Sequence, residues 1–502
     1  MIKVVLLAAL IIFLTIIIVR TINLSRHSPV VTECKVTDDD FIPLSEARIK
    51  RFQSALQFQS VSYDIGNYRR DDLKKFGDFI IKSFPAIHNS SLVEWELVNN
   101  YSLLYYIKGS NADLKPYLLT SHLDVVPATN LDAWDTPPFS GNIINGYIYG
   151  RGTIDAKHTV MGILESVEYL LSEGIKPVRS FYIGFGHDEE VQGQDGARLI
   201  AARLKEKGVT ELEYLSDEGL TVTEGLVSGV NNPVASIGVC EKGQVVLKLS
   251  VKNAPGHSSM PAKESTVGIL AKAVYRLESN PHPSMLGTGV ETEFLESLAP
   301  EMGIAQRTMI ANIWIFKPLL SWFLSLKPHS SAIIRTVTSV TMFNAGVKKN
   351  VIPPLAEAIV NHRIHPSQTV QEVIEYDRNV IGDSRVIIES EYEMEPHPTA
   401  GHGDSDFGYQ VLKSTIRQIW PKAVVVPGIL MGNTDTRHYL HFTNNVFRFS
   451  PTHFPGDVER FHGLNERIAV KNYEQVINFF FHLIRNSDQV ALSSVHEHHS
   501  DL

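Results

Sequence analysis

The chain has 502 residues, more than one hydrophobic core can serve, because single cores stop growing at roughly 250 to 300 residues and longer chains divide into domains. Hydrophobic residues make up 43% and charged residues 20%, the balance of an ordinary globular protein. With 46 basic against 55 acidic side chains the formal charge is −9, and no Lys/Arg cluster interleaves with aromatics, which sets nucleic acid aside as a partner.

The first 24 residues stand apart. Val4 to Val19 is apolar except for Thr15, with Lys3 before it and Arg20 and Arg26 after it. Such a run reads as a signal peptide or a retained signal-anchor outside the fold, and no small-x-small cleavage site decides between them. Either one directs the chain to the secretory route, as a secreted or a membrane-tethered protein. Asn89 (Asn-Ser-Ser) and Asn100 (Asn-Tyr-Ser) then become candidate glycan acceptors. The cysteines Cys34 and Cys240 build neither a disulfide framework nor a Cys-based metal site, so any metal must be held by His, Asp and Glu. Whether these two pair is open, with free thiols the default.

After a polar linker at 25–40, helical patterns begin near Ser45 and run over 71–83. Buried strands are predicted at 103–108, 116–121, 180–186 and 212–216, with helices at 157–173 and 194–208 between them. This alternation implies an α/β domain with a largely parallel sheet and helices on both faces, occupying 40–241. The pattern changes at Lys242. Gln244 to Val251 alternates apolar and polar, Thr266 to Leu277 is helical, and 355–364, 370–380 and 385–391 read as strand, helix and strand. Residues 242–392 are therefore expected to be an inserted α+β domain with an antiparallel sheet. The first domain resumes over 393–488 and ends in an amphipathic helix at Val470 to Arg485. Within the insertion, Trp314 to Leu324 is apolar and broken by Pro318; a pair of short packed helices is the preferred reading, with a lipid-contacting surface as the other. Residues 489–502 form a polar tail, in which His496, Glu497, His498 and His499 suggest only adventitious metal affinity.

Metal-grade side chains fall at successive strand ends. Ser-His122-Leu-Asp124 follows Tyr-Leu-Leu-Thr; Gly-Arg-Gly-Thr-Ile-Asp155 enters the helix at Lys157; Glu189-Glu190 follows Phe-Tyr-Ile-Gly-Phe; and Asp217 closes a fourth strand. Reacting groups in open α/β sheets collect outside the carboxyl ends of strands, and one paired-acid turn is ordinary whereas four such coincidences are not. The pattern outlines a two-metal hydrolase site: an activated water and a polarised carbonyl are what amide hydrolysis needs at neutral pH. Asp124 is placed to accept the second ring N–H of His122. Asp155 is placed to bridge two metals. Of Glu189 and Glu190, one ligates and the other stands by as general base. A serine mechanism is disfavoured, because Gly256-His-Ser-Ser-Met lacks the second glycine of Gly-x-Ser-x-Gly.

These segments, with Asp217-Glu218-Gly219 and His462-Gly-Leu-Asn-Glu466-Arg, resemble the M20 metallopeptidase family over nearly all of 45–488. Pro255-Gly-His-Ser-Ser, Asn350-Val-Ile-Pro-Pro, Val360-Asn-His-Arg-Ile-His-Pro and Gly432-Asn-Thr-Asp-Thr-Arg are similar to its secreted branch of N-fatty-acyl-amino-acid synthase/hydrolases, and vacuolar carboxypeptidases share several of them. The resemblance implies a zinc-peptidase-like catalytic domain with an inserted lid or dimerisation domain. It further implies two Zn²⁺ per chain, one on His122, Asp155 and Asp217 and the other on Asp155, Glu190 and His462, with Asp124 orienting His122 and Glu189 as base. His257 would stabilise the oxyanion, from a partner subunit or by lid closure. Asn350 and Arg363 would hold the substrate carboxylate, with Arg437 a competing clamp and a plain strand-surface charge the competing reading of Arg363. The implied substrates are N-acyl amino acids, made from or split into fatty acids and free amino acids. A homodimer through the insertion and a lipid or lipoprotein surface are implied partners. The alternatives are a carboxypeptidase or dipeptidase acting on short peptides, and a catalytically silent binding protein.

Overall fold

The computed structural model describes residues 1–26, 41–455 and 460–489, so the 25–40 linker beyond Arg26, Cys34 and the His496–His499 tail lie outside the described residues. The chain divides into two compact units: 1–28, 240–399 and 429–432 in one, and 29–239, 400–428 and 433–502 in the other.

The larger unit is built on an eight-stranded sheet whose middle four strands run parallel in the order Val446–Pro455, Leu215–Glu224, Tyr117–His122 and Phe181–Gly186. Antiparallel strands flank them, among them Ser102–Ile107 and Val93–Val98 on one side and Val234–Glu241 on the other. Every residue of Tyr117–His122 is buried, as expected of a strand with helices on both faces. On one face Ala197, Ile200 and Leu204 of the helix Ala197–Glu206 pack with Leu104, Leu118 and Leu215. On the other, the helix Lys157–Ser172 lies against the C-terminal helix Val470–Ser487 so closely that a Cβ on Gly162 would meet Val476 Cγ1 at 2.6 Å. Ser166 Oγ crosses that contact to the Ile477 carbonyl at 2.7 Å. The strand predicted at 212–216 starts at Leu215 and continues to Glu224.

The smaller unit carries a four-stranded antiparallel sheet in the order Val337–Ala345, Leu355–Ile364, Gly243–Lys252, Ile387–Met394. Val245, Leu247, Leu249 and Val251 fill one face, and Ala356, Ala358, Val360, His362 and Ile364 continue the buried row on the neighbouring strand. Ile269, Leu270 and Leu277 of the helix Thr266–Ser279, with Val373 and Ile381 of the helix Val370–Ile381, cover that face. The latter helix begins in a reciprocal cap between Thr369 and Glu372 and ends at Gly382, whose φ of 55° suits a glycine.

Two expectations change here. Ile313–Leu324 is one helix running through Pro318, and only Ile313 and Leu320 in it are buried; Trp314, Trp322 and Phe323 are 55%, 61% and 59% exposed. Apolar spacing reports a core only where a partner face exists, and among the described residues this helix finds one along a narrow stripe. The N-terminal helix Ile2–Arg26, expected to lie outside the fold, packs on the helix Ile304–Ala311: Arg20 Nε donates to the Ala311 carbonyl at 2.8 Å, and Phe13 meets Trp314 edge-on with ring centroids 6.1 Å apart. Its Ile2–Ser25 stretch is long and apolar enough to cross a membrane.

Candidate active site

His122 ends a central parallel strand with both ring nitrogens engaged. Its Nδ1 lies 3.0 Å from the Asp124 carbonyl and 3.3 Å from Asp124 Oδ1, which leaves Nε2 to face Asp155 Oδ1 at 3.1 Å and Glu218 Oε2 at 3.2 Å. Asp155 precedes a cis peptide bond to Ala156, and its second oxygen lies 3.0 Å from His462 Nε2, which is also 3.2 Å from Glu190 Oε2. Two sets of donors, His122–Asp155–Glu218 and Asp155–Glu190–His462, thus share one aspartate.

The expected ligand Asp217 is displaced from this arrangement by its neighbour. Successive residues of a strand point to opposite faces, and the carboxylate beside His122 belongs to Glu218. Asp217 Oδ1 instead accepts the Glu218 amide at 2.9 Å, and its charge bears on the buried Asp435. Glu189 and Glu190 diverge because they open a short 3₁₀ turn, Glu189–Val191, whose first two amides are held by Asp124. Asp124 Oδ1 accepts from Glu189 N at 3.1 Å and Oδ2 from Glu190 N at 3.2 Å, so one carboxylate fixes both the His122 ring and the acid pair.

Glu466, quoted in a motif but given no part by the sequence reading, ties the two halves of the site together. Its Oε1 accepts the amides of Gly152 and Ile154 at 2.9 and 3.0 Å on the turn leading to Asp155, and its Oε2 pairs with Arg151. Arg151 Nη2 in turn donates to the carbonyls of His462 and Gly463, each at 3.2 Å. The signal was there in Arg151 and Glu466, charges of opposite sign inside the two motifs, but only the fold shows that they face one another. Lys157, also buried, donates to the Ala55 and Phe58 carbonyls at 3.0 and 2.6 Å and holds the start of its helix.

The electrostatics call for added positive charge. Burial, then the charge of Glu218, pushes the Glu189 carboxyl well above its ordinary value; burial and Asp155 lift Glu190 to about 8; and burial raises Glu218 despite His122. Burial alone would also raise Asp155, but the histidines on its two oxygens hold it well below the carboxylate range. Hydrogen bonds to Asp155 and Glu190 raise His462 to about 10. Acids this close cannot all ionise without cations among them. Imidazole nitrogens beside carboxylate oxygens are the donors that divalent transition metals take, so the residues present fit a metal.

The remaining predicted residues are spread over both units. Arg437 follows Asp435 in the larger unit, with its Nε on the Thr434 carbonyl at 2.9 Å. In the smaller unit His257 and Asn350 come together on a two-stranded ribbon, where the Ser258 amide donates to the Asn350 carbonyl at 3.2 Å and His257 is exposed. Arg363 pairs across the sheet with Gln244. Asn89 and Asn100 are both exposed, Asn100 at a hairpin turn with φ 67°.

A shared aspartate between two histidine–carboxylate sets, at the ends of parallel strands and beside a spare acid, defines a metal-dependent hydrolase. The chain belongs to peptidase family M20/M25/M40, whose sequence signature matches residues 118–486, and it is an enzyme acting on amide bonds. It is similar to the N-fatty-acyl-amino acid synthase/hydrolase PM20D1.1 of Danio rerio, at 48% identity over 88% of this chain and 86% of the relative. It is 41% identical to the probable carboxypeptidase S-like 2 of Dictyostelium discoideum, over 97% of this chain and 95% of that one. Among solved structures, the M20 family metallo-carboxypeptidase Sso-CP2 of Sulfolobus solfataricus shares the fold with a TM-score of 0.63, at 16% identity over 89% of this chain and 100% of that one.

Proposed function

We propose that the protein is a zinc-dependent amidohydrolase that splits N-fatty-acyl amino acids into a fatty acid and an amino acid and joins them in reverse. The observation that carries the mechanism is Asp155 shared between two histidine–carboxylate sets with Glu189 beside them; the likeness to the Danio rerio synthase/hydrolase supports the substrate. His122, Asp155 and Glu218 would hold one Zn²⁺, and Asp155, Glu190 and His462 the other. When bound, the two cations supply the charge that polarises an amide carbonyl and acidifies water.

Glu189 takes the proton from the attacking water and delivers it to the leaving nitrogen; in synthesis it takes that proton back from the amine. With cations bound, the raised pKa of Glu189 would fall again, leaving a carboxylate that is ionised yet able to carry a proton. Asp124 positions this base through the Glu189 amide and holds the His122 ring at its Nδ1 side. On the family resemblance, we assign the oxyanion to His257 and the substrate carboxylate to Asn350 and Arg363, with Arg437 as the competing clamp. The exposed Met342 and Phe343 on the edge strand Val337–Ala345 support a homodimer through the insertion. The apolar N-terminal helix supports entry to the secretory route, to a secreted or tethered form, with glycans at Asn89 and Asn100.

The test is to incubate the protein with an N-oleoyl amino acid and with a matched dipeptide, with and without a chelator. Chelator-sensitive cleavage of the first is the expected result. Cleavage of the dipeptide alone favours the carboxypeptidase reading, for which the Dictyostelium relative speaks; absence of turnover with metal bound leaves a binding protein.

A further inference from the structure

A second group of metal-grade side chains lies in the smaller unit. His362, in the buried row of the strand Leu355–Ile364, Asp377 on the helix Val370–Ile381, and His282, in the segment after the helix Thr266–Ser279, converge with donor atoms within 4.8 Å of one another. His282 is 1% exposed, and His362 and Asp377 are fully enclosed. An imidazole placed among Ala356, Ala358 and Val360 is costly unless its polar atoms are used.

The contacts within the group lack hydrogen-bond geometry. His362 Nε2 lies 2.8 Å from Asp377 Oδ2 and His282 Nε2 3.4 Å from Asp377 Oδ1, yet all four of these atoms are buried without a hydrogen-bond partner. Donors around a tetrahedral zinc, with bonds of about 2.0–2.2 Å, stand roughly 3.3 Å apart; the His282 separation matches this, and the His362 separation is shorter. His362 Nδ1 lies 3.1 Å from Thr338 Oγ1, the outer contact that fixes the ring of a metal-binding histidine and leaves Nε2 for the ion. Tyr376 packs on the His282 ring with centroids 4.2 Å apart, and Arg335 Nη1 reaches the His282 carbonyl at 3.3 Å.

We propose that His282, His362 and Asp377 form a structural zinc site inside the smaller unit, separate from the two donor sets around Asp155. Two imidazole nitrogens and the Asp377 carboxylate, whose two oxygens face one histidine each, leave room for a further small ligand such as water. Zinc suits the set because it takes N and O donors without a geometric demand from its d electrons. The ion would tie a sheet strand, its covering helix and the segment after a second helix at one point. A His–Asp–His triad sharing a proton is the competing description.

The test empties the other site instead of disturbing this one. Full-length His122→Ala/His462→Ala protein is loaded with zinc, dialysed extensively and measured for metal per chain and for thermal unfolding with and without chelator. One retained zinc per chain and a lower unfolding temperature after chelation are expected, as is loss of that zinc when His362→Gln is added. Cobalt loaded in its place should give the intense visible bands of a tetrahedral ion. Retention of no metal by the folded His122→Ala/His462→Ala protein, or equal retention after Asp377→Asn in the same background, overturns the site and leaves the proton-sharing triad. These readouts do not involve amide turnover, so they stand or fall apart from the catalytic proposal.

Discussion

Glu466→Gln is the most direct probe of how the site is held together. Arg151 and Glu466 are 2% and 0% exposed and paired, and Glu466 also accepts two backbone amides on the turn that carries Asp155. Gln keeps one acceptor oxygen for those amides but turns an NH₂ toward the guanidinium, stranding a buried charge. Removing one partner of a buried pair costs about 3–5 kcal/mol. At roughly 2 °C per kcal/mol for a unit of this size, unfolding of the metal-free protein should fall by about 6–10 °C, read by near-UV circular dichroism. Adding Arg151→Met removes the stranded charge, so the double variant should be more stable than Glu466→Gln alone, a non-additivity typical of contacting pairs. An unchanged unfolding temperature for Glu466→Gln, or strictly additive losses, would refute the tie between the two halves of the site.

Four further expectations can be checked. Glu189→Gln should retain metal, measured by elemental analysis, while losing several orders of magnitude in turnover, because it leaves every donor in place; full activity would sink the assigned base. Asp124→Asn should weaken metal binding about 10- to 100-fold in a chelator competition, since Asn presents a donor where one of the Glu189 and Glu190 amides needs an acceptor. In the metal-free protein Glu190 is raised to about 8 and His462 to about 10, so both hold a proton at pH 7 that metal must displace. Affinity should therefore rise with pH through 7 and fall as acid is added, by up to about tenfold per unit for each proton; calorimetry in buffers of different ionisation enthalpy should show proton release, and a flat profile would contradict it. Trp322→Ser/Phe323→Ser should reduce partitioning onto phosphatidylcholine vesicles, each ring contributing on the order of 2 kcal/mol if half its surface is buried; unchanged binding and unchanged activity on long-chain substrates remove the lipid reading.

The sequence was readable where local pattern and chemistry coincide. Strand ends put His122, Asp155, Glu189 and Glu190 in one place, and the helices 157–173 and 470–485 appear within a few residues of their expected ends. Choosing between Asp217 and Glu218 required the strand's register, because adjacent acids differ only in the face they take. Arg151 and Glu466 needed a contact across more than 300 positions of chain, which no local pattern reports. The burial of Trp314 and Trp322 was overestimated for the converse reason: an apolar stripe says what a helix would bury, and the fold decides whether anything lies opposite. His362 entered only as part of the Val360-Asn-His-Arg-Ile-His-Pro motif, and in the alternating strand its place in the row was that of a core residue.

The dependence of Asp155 on Glu466 also bears on synthesis of the chain. His462 and Glu466 follow Asp155 by more than 300 positions, and during synthesis the turn around Asp155 has no Glu466 carboxylate for its Gly152 and Ile154 amides until that stretch has been made. A nascent or prematurely ended chain can form most of its parallel sheet and yet lack both a complete donor set around His462 and the clamp on the shared aspartate. Hydrolytic competence is therefore withheld until the chain has been made past Glu466, and a truncation before residue 460 should yield a protein with no working centre.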